Sequence, residues 1–129
     1  MSKPINTFRD LIAWQKAMAF VTEIYRITRT LPKEETYGMA SQMRRAAVSI
    51  PSTLAEGHAH RSRTEYGRFV QISIGSLHEL DTQLEIAVNL GYLTPSSYAE
   101  LQEKVRELER MLTSLHQKLI RPPDFPKAQ

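Results

Sequence analysis

The sequence has 129 residues, 41% of them hydrophobic and 24% charged, with a formal net charge of +3 and a pI of about 9.3. A chain of this length forms one domain and buries a core without metal or disulfide staples. The lack of cysteine excludes a disulfide framework, a cysteine zinc site and a thiol nucleophile, and suits a cytoplasmic protein. We see neither a signal peptide nor a run approaching the roughly 20 apolar residues of a membrane span.

Glycines and prolines divide the chain into four long segments with helical periodicity, and none alternates like a strand. They run from about Thr7 to Leu31, from Glu34 to Gly57, from Ser62 to Gly91 and from Thr94 to Arg121. We therefore predict an all-α fold, an antiparallel up-down-up-down four-helix bundle. It forms a single domain over residues 1–129, with a core from about 8 to 120 and an extended proline-rich tail over 121–129.

The third and fourth segments have the clearest patterns. Thr94 and Pro95 signal the start of the fourth helix, Ser62 and Glu65 form a capping-box pattern, and Gly91 fits a helix stop. The fourth segment carries a heptad seam of Tyr98, Leu101, Val105, Leu108, Leu112, Leu115 and Leu119. One face of the third holds Phe69, Ser73, Ser76, Leu80, Leu84 and Ala87.

The first segment is apolar over a wide arc of roughly 200°, whereas a helix in a monomeric bundle needs a stripe of about 100° or somewhat more. One seam holds Leu11, Trp14, Met18, Val21 and Tyr25, and the adjacent one holds Ala17, Phe20, Ile24, Ile27 and Leu31. Either this helix is well covered on both seams, or one seam is a subunit interface. Since four antiparallel helices have no central member, we favour an interface at Phe20, Ile24 and Ile27.

The second segment combines a core face with small residues and an interior proline. Met39, Met43, Ala46, Ile50 and Leu54 supply the core face. Pro51 removes a helical hydrogen bond and clashes with the preceding turn, so the helix either kinks or breaks there. We predict a kink, because the core periodicity continues past Pro51.

A polar stripe of Arg45, Ser49, Ser52 and Glu56 follows one side of the same helix. It is either a solvated surface or a partly buried network at a helix or subunit contact. In the second case, Arg45 and Glu56 need partners from another helix or chain, and Glu79 and Arg68 are the candidates.

Basic residues concentrate at one end of the predicted bundle. The up-down order brings Lys3, Arg9, Lys118 and Arg121 beside the turn that holds His58, His60, Arg61 and Arg63. Such a cluster is either a solubilising rim or a surface for nucleic-acid phosphates. The candidate nucleic-acid-binding residues are Arg44, Arg61, Arg63, Arg68 and Arg121.

Enzyme and metal motifs are missing from the sequence. No Glu precedes a His by three residues as di-iron bundles require, and no glycine-rich phosphate loop or serine-nucleophile pattern occurs. His58 and His60 supply two ligands at most, and solvated histidines are the simpler interpretation. We predict a non-enzymatic binding protein without metal or cofactor.

Several motifs together resemble the family of 23S ribosomal RNA intervening-sequence proteins over about residues 8 to 120. They are Phe8-Arg9-Asp10-Leu11-x-x-Trp14-Gln15-Lys16-Ala17, Leu31-Pro32-x-x-Glu35-x-Tyr37-Gly38, Gln42-Met43-Arg44-Arg45-Ala46-Ala47-Val48-Ser49-Ile50-Pro51-Ser52, Ala55-Glu56-Gly57 and Gly75-Ser76-Leu77-x-Glu79-Leu80. One departure is Thr53, where that family usually has asparagine.

The resemblance implies the same four-helix bundle. It extends to the accessory proteins of diversity-generating retroelements, and this implies a homopentamer that binds RNA or DNA and a partner protein such as a reverse transcriptase. Two functions follow as hypotheses. The chain is either an oligomer that binds phosphates through its basic end, or a protein-interaction scaffold that docks a partner without nucleic acid.

Overall fold

The computed structural model describes residues 4–121, and over this range the chain forms four α-helices and no strand. Helix α1 spans Ile12–Thr28, α2 Met39–His58, α3 Arg63–Asn89 and α4 Pro95–Ile120. Two short 3₁₀ turns, Phe8–Asp10 and Lys33–Glu35, precede α1 and α2. The predicted all-α bundle is confirmed, while residues 122–129 of the predicted tail lie outside the described residues.

The helices pack in a cycle in which each contacts its neighbours in sequence and α1 also contacts α4. The residues that contact each other come in opposite order along neighbouring helices. Ser49 and Ser76 join α2 to α3, and His78 Nε2 lies 2.9 Å from Glu109 Oε2 across α3 and α4. Arg63, at the start of α3, reaches Lys118, near the end of α4. This arrangement agrees with the antiparallel order that the short connections predict.

The first two helices begin later than predicted, because polar side chains stabilise separate turns in front of them. Thr7 accepts a hydrogen bond from the Arg9 amide, and the Asp10 carboxylate accepts one from the Thr7 amide, so this capping box closes a 3₁₀ turn before α1. Before α2, the Glu35 carboxylate accepts a hydrogen bond from the Met39 amide at 3.1 Å. Glu35 therefore caps the helix from outside it.

The ends of α3 and α4 follow the sequence signals. Thr94 accepts a hydrogen bond from the Ser97 amide at 3.0 Å, and Ser62 accepts one from the Glu65 amide at 3.2 Å. Gly91 has a φ of 81°, which places it in the left-handed region that favours glycine. Its turn lets the Tyr92 amide donate to the Ala87 carbonyl at 2.8 Å, the bond that closes a Schellman motif.

The core confirms the predicted faces of α2, α3 and α4 and corrects that of α1. The heptad residues of α4 from Leu101 to Leu112 are buried, as are Met43, Ile50 and Leu54 of α2. On α1, however, Phe20 is 2% exposed and Ile24 is fully buried inside the bundle, while Ile27 packs against the core. The predicted interface at these residues is therefore wrong, because the second seam of α1 faces the other helices.

The most extensive helix contact joins α2 to α3, in part through small and hydroxyl-bearing side chains. Ser49 Oγ lies 2.9 Å from Ser76 Oγ, and Thr53 forms a hydrogen bond with the buried Ser73. Ser73 also donates to the Ile50 carbonyl at 3.1 Å. We call this contact, completed by Gly57, the α2–α3 seam. Helix α2 continues through Pro51 without a break, so the alternative of two separate helices is excluded.

Gly57 allows the two helices of this seam to approach each other, because an added Cβ would lie 2.7 Å from the Cβ of Phe69 and 3.0 Å from a ring carbon of Tyr66. We expect Gly57→Ala to lower the free energy of unfolding by roughly 1–3 kcal/mol, as overpacking does in cores. Chemical denaturation monitored by circular dichroism measures this change.

Gly67 is the matched control for Gly57, since it is also a buried helical glycine and its added Cβ would meet only ordinary contacts, the nearest at 3.5 Å. Gly67→Ala should leave stability unchanged or raise it by up to about 1 kcal/mol, because alanine restricts the unfolded chain. Equal effects of the two substitutions would contradict the steric role of Gly57.

Asp81 on α3 accepts a hydrogen bond from Gln102 on α4. Burial is the largest influence on its carboxyl and raises its pKa, although the Gln102 hydrogen bond acts in the opposite direction. Because folding raises this pKa, the ionised carboxylate opposes folding above it, and the penalty disappears once the group is protonated in both states. We expect Asp81→Asn to raise the melting temperature at pH 7 and to lose this advantage below about pH 4. A variant that melts lower at pH 7, or whose advantage is the same at pH 3, would contradict this expectation.

Candidate nucleic-acid interface

One end of the bundle gathers the turn between α2 and α3, the last turn of α4 and the 3₁₀ turn before α1. The 3₁₀ turn contacts α2, and Arg63 at the start of α3 contacts the end of α4. We call this the basic end. It brings together Arg61, Arg63, Arg68 and Arg121 of the five predicted arginines, with Arg9 and Lys118 on the same end. Lys3, which was predicted here, lies outside the described residues.

Arg63 stabilises the fold at this end. Its guanidinium donates to the main-chain carbonyl of Lys118 and, at 3.2 Å, to that of Arg121. Lys118 lies in the last turn of α4, where backbone acceptors lack helical partners, and Arg121 directly follows the helix. Arg63 therefore fixes the end of α4 against the start of α3, and part of its hydrogen-bonding capacity is used within the chain.

Aromatic rings support the two histidines of the turn and the Arg68 guanidinium. His60 stacks on Phe69 with 5.1 Å between ring centroids, and the Arg68 guanidinium lies 4.9 Å from the same ring. His58 contacts Tyr66 edge-on at 5.7 Å. The Tyr66 hydroxyl is buried and has no hydrogen-bond partner within residues 4–121, and burial raises its pKa. Arg68 also pairs with Glu65 at 3.1 Å, which offsets part of its charge.

Arg61 and Arg121 are the most available cations of the basic end. Both are exposed, and within the described chain neither side chain has a hydrogen-bond or ion-pair partner. Lys118 is exposed as well, and its side chain is likewise unpaired in this range. Unpaired arginine and lysine side chains contact phosphate oxygens without having to break an internal ion pair.

Arg44 lies elsewhere, so the sequence-based grouping of five arginines needs correction. Its guanidinium donates to the Thr28 hydroxyl at 2.7 Å and lies 4.7 Å from the centre of the Tyr25 ring at the end of α1. It precedes His58 by 14 residues of α2, which amounts to about 21 Å along the helix. Arg44 therefore lies far from the basic end and instead fixes α2 against α1.

The predicted polar stripe is largely a solvent-exposed surface in the single chain. Arg45, Ser52 and Glu56 are exposed, and Ser49 is half-buried because it contacts Ser76. Within residues 4–121, neither Arg45 nor Glu56 has an ion-pair partner. Arg68 pairs with Glu65 and so does not take up Glu56 as the sequence suggested. A network within the chain is therefore absent from the described part.

An apolar groove between α1 and α2 is the feature that the sequence interpretation missed. We call it the α1–α2 groove, and it is lined by Trp14, Met18, Val21, Val48, Pro51, Ser52 and Ala55. Met18 is 43% exposed and Val48 39% exposed. These α1 residues belong to the first apolar seam, so the wide apolar arc did indicate surplus apolar surface, but on the seam adjacent to the predicted interface.

The described residues hold no metal-binding or membrane-spanning feature. Within residues 4–121, no group of three or more His, Asp or Glu side chains could hold a metal ion. None of the helices in the described range is long and apolar enough to cross a bilayer.

The profile of the 23S rRNA-intervening sequence protein family matches residues 9–114, which is most of the chain. The protein belongs to this family. The match covers the motifs that carried the resemblance except for Phe8, and it includes the α2 segment with Pro51 and the α3 segment with Gly75. No curated protein matches the chain.

A solved structure shares this fold. It is the crystal structure of a protein of unknown function from the S23 ribosomal protein family of Bacteroides thetaiotaomicron VPI-5482. The TM-score is 0.76 at 21% sequence identity, over 82% of this chain and 96% of that one. At this identity the similarity supports the four-helix fold. Neither comparison indicates an enzyme family.

The different roles of Arg63 and Arg61 are testable by stability alone. Arg63→Ala removes the donors to the last carbonyls of α4, and we expect the free energy of unfolding to fall by up to about 1 kcal/mol. Arg61→Ala removes a neighbouring arginine that has no side-chain partner within residues 4–121, and it should leave the unfolding midpoint unchanged. Urea unfolding of both variants measures the difference, and equal midpoints would contradict the role of Arg63.

Proposed function

We propose that this protein is a non-enzymatic, cytoplasmic homo-oligomer that binds the phosphate backbone of RNA or DNA through its basic end. The observation that carries this proposal is that Arg61, Arg121 and Lys118, beside Arg63 and Arg68, have no side-chain partner among residues 4–121. The family's name connects it with an insertion in a ribosomal RNA, which makes an RNA the first nucleic acid to test.

Self-association is part of the proposal, because the net charge of a single chain is only +3. Repetition of the basic end in several copies multiplies the local positive charge and the number of phosphate contacts. The resemblance to the retroelement accessory proteins favours five copies. The surplus apolar surface that assembly requires is available at the α1–α2 groove.

Phosphate contacts predict strong salt dependence and little sequence preference. We expect the protein to bind both a structured RNA and a DNA duplex at low salt. For the duplex, log affinity falls linearly with log salt concentration, and the magnitude of this slope should decrease by about 0.9 for every phosphate contact removed. Arg61→Ala should decrease this magnitude, as measured by fluorescence anisotropy at several salt concentrations.

Arg29→Ala is the matched control, because Arg29 is also exposed and unpaired in the described chain but follows α1, at the opposite end of the bundle. It removes the same charge from a different place and should change the slope less than Arg61→Ala. Equal effects of the two substitutions would contradict binding at the basic end. A flat titration with RNA and DNA at low salt would remove the nucleic-acid function.

The acidic surface of α3 favours a second function, a scaffold that docks a basic partner protein such as a reverse transcriptase. Residues 69–95 contain Glu79, Asp81 and Glu85 but no Lys or Arg. In this case a purified partner remains bound after nuclease treatment. Binding of that partner would also be weakened by Glu85→Lys and unaffected by Arg61→Ala.

A further inference from the structure

Among the surfaces of the described chain that expose apolar side chains, two lie on different helices and have unpaired charges beside them. The first is the α1–α2 groove, in which Met18 and Val48 are accessible. Its lining is apolar except for the Ser52 hydroxyl. A contiguous exposed apolar strip of this kind on a small protein is typical of an interaction site.

The second surface is the outer face of α3, which we define by Ile72, Gly75, Glu79 and Ile86. Gly75, Glu79 and Ile86 lie three, seven and fourteen residues after Ile72, so all four share one side of the helix. Ile72 and Ile86 are each 40% exposed. An added Cβ at Gly75 would meet nothing within 4 Å, so the helix backbone between them is open to close approach by another element.

Charges beside these two surfaces are complementary. Arg45 lies next to Val48 at one end of the α1–α2 groove, is exposed, and has no partner among the described residues. Glu79 is exposed on the outer face of α3, and its described contact is a hydrogen bond from Gln83 of the same helix. The α3 segment supplies no cation of its own between residues 69 and 89.

On the opposite side of the bundle, several charged side chains have partners within the chain. Around α4, charged side chains form ion pairs across helices, with Lys16 bound to Glu107 at 3.3 Å and Lys104 to Glu23 at 3.7 Å. These four charges are already matched within the chain. Arg45 and Glu79, which have no ion-pair partner within residues 4–121, instead lie beside the two apolar surfaces described above.

We propose that the α1–α2 groove of one copy receives the outer face of α3 of a second copy. Ile72 and Ile86 then cover the groove, and Arg45 of one copy faces Glu79 of the next. This inference rests on the self-association in the proposed function and specifies the surfaces that form it. Because the two surfaces differ, the contact is head-to-tail and continues from copy to copy until a ring closes.

The test uses two single substitutions and light scattering of the purified full chain at micromolar concentration. Val48→Glu places a charge in the groove, and Ile72→Glu places one on α3. Each should convert the oligomer into monomers. Both positions are about 40% exposed, so the helical circular dichroism signal should remain native. Ile12→Glu is the matched control, because Ile12 is 54% exposed and lies outside both surfaces. The particles of this variant should have the same mass as those of the unmodified chain.

Mixing the two monomeric variants gives the decisive measurement. A Val48→Glu chain still has an intact α3 face, and an Ile72→Glu chain still has an intact groove. The mixture should therefore form particles of two chains and none larger, since each pair has one intact junction. Monomers in the mixture, or oligomers from Ile72→Glu alone, would overturn the head-to-tail contact.

The masses also separate this inference from the proposed function. If the unmodified chain is monomeric, the self-association itself is wrong. If it is oligomeric and Val48→Glu and Ile72→Glu leave the mass unchanged, the self-association stands and the two surfaces assigned here are wrong. If Val48→Glu dissociates the oligomer and Ile72→Glu does not, the contact joins groove to groove and the head-to-tail assignment is overturned.

Discussion

The close approach of α2 to α3 determines the positions of the other surfaces. At Gly57 the two helices leave no room for a Cβ, and along the rest of the seam hydroxyl groups pair with one another and with the backbone. Each buried polar group left without a hydrogen-bond partner would cost about 1–3 kcal/mol. Hydroxyl pairs of this kind avoid that cost. The seam therefore fixes the rotation of α2, and with it which side chains of α2 face α1 and which face solvent.

Two consequences follow from this rotation. The side chains of Val48, Pro51 and Ala55 turn towards α1, where they meet Trp14 and Met18 and form the α1–α2 groove. The turn after Gly57 is short, so the start of α3 lies against the end of α4 and Arg63 reaches its last carbonyls. The apolar groove thus runs along the side of the bundle, whereas the cations collect at its end.

Much of the fold was predictable because it depends on periodicity and on local signals. The heptad of α4, the caps at Ser62 and Thr94 and the stop at Gly91 act within a few residues, and each lies where the sequence placed it. The rotation of α1 was not predictable in this way. Its two apolar seams are similar in hydrophobicity, and packing against α2 and α4 decides which one is buried. The same limit applies to Arg44, because its contacts with Thr28 and Tyr25 depend on how α2 packs against α1.

The symmetry of assembly determines whether the modest charge of one chain becomes a concentrated binding surface. Both surfaces proposed for self-association run along the sides of the helices, and Arg61 and Arg121, which are unpaired within residues 4–121, lie at the basic end. A head-to-tail ring whose rotation axis runs along the bundles places every basic end at the same height, because rotation about that axis leaves height unchanged. A two-fold axis perpendicular to the helices would place the basic ends at opposite extremes and divide the charge. Affinity for a polyanion rises with the number of cations that act on one stretch of backbone, so the same bundle would bind strongly in the first assembly and weakly in the second.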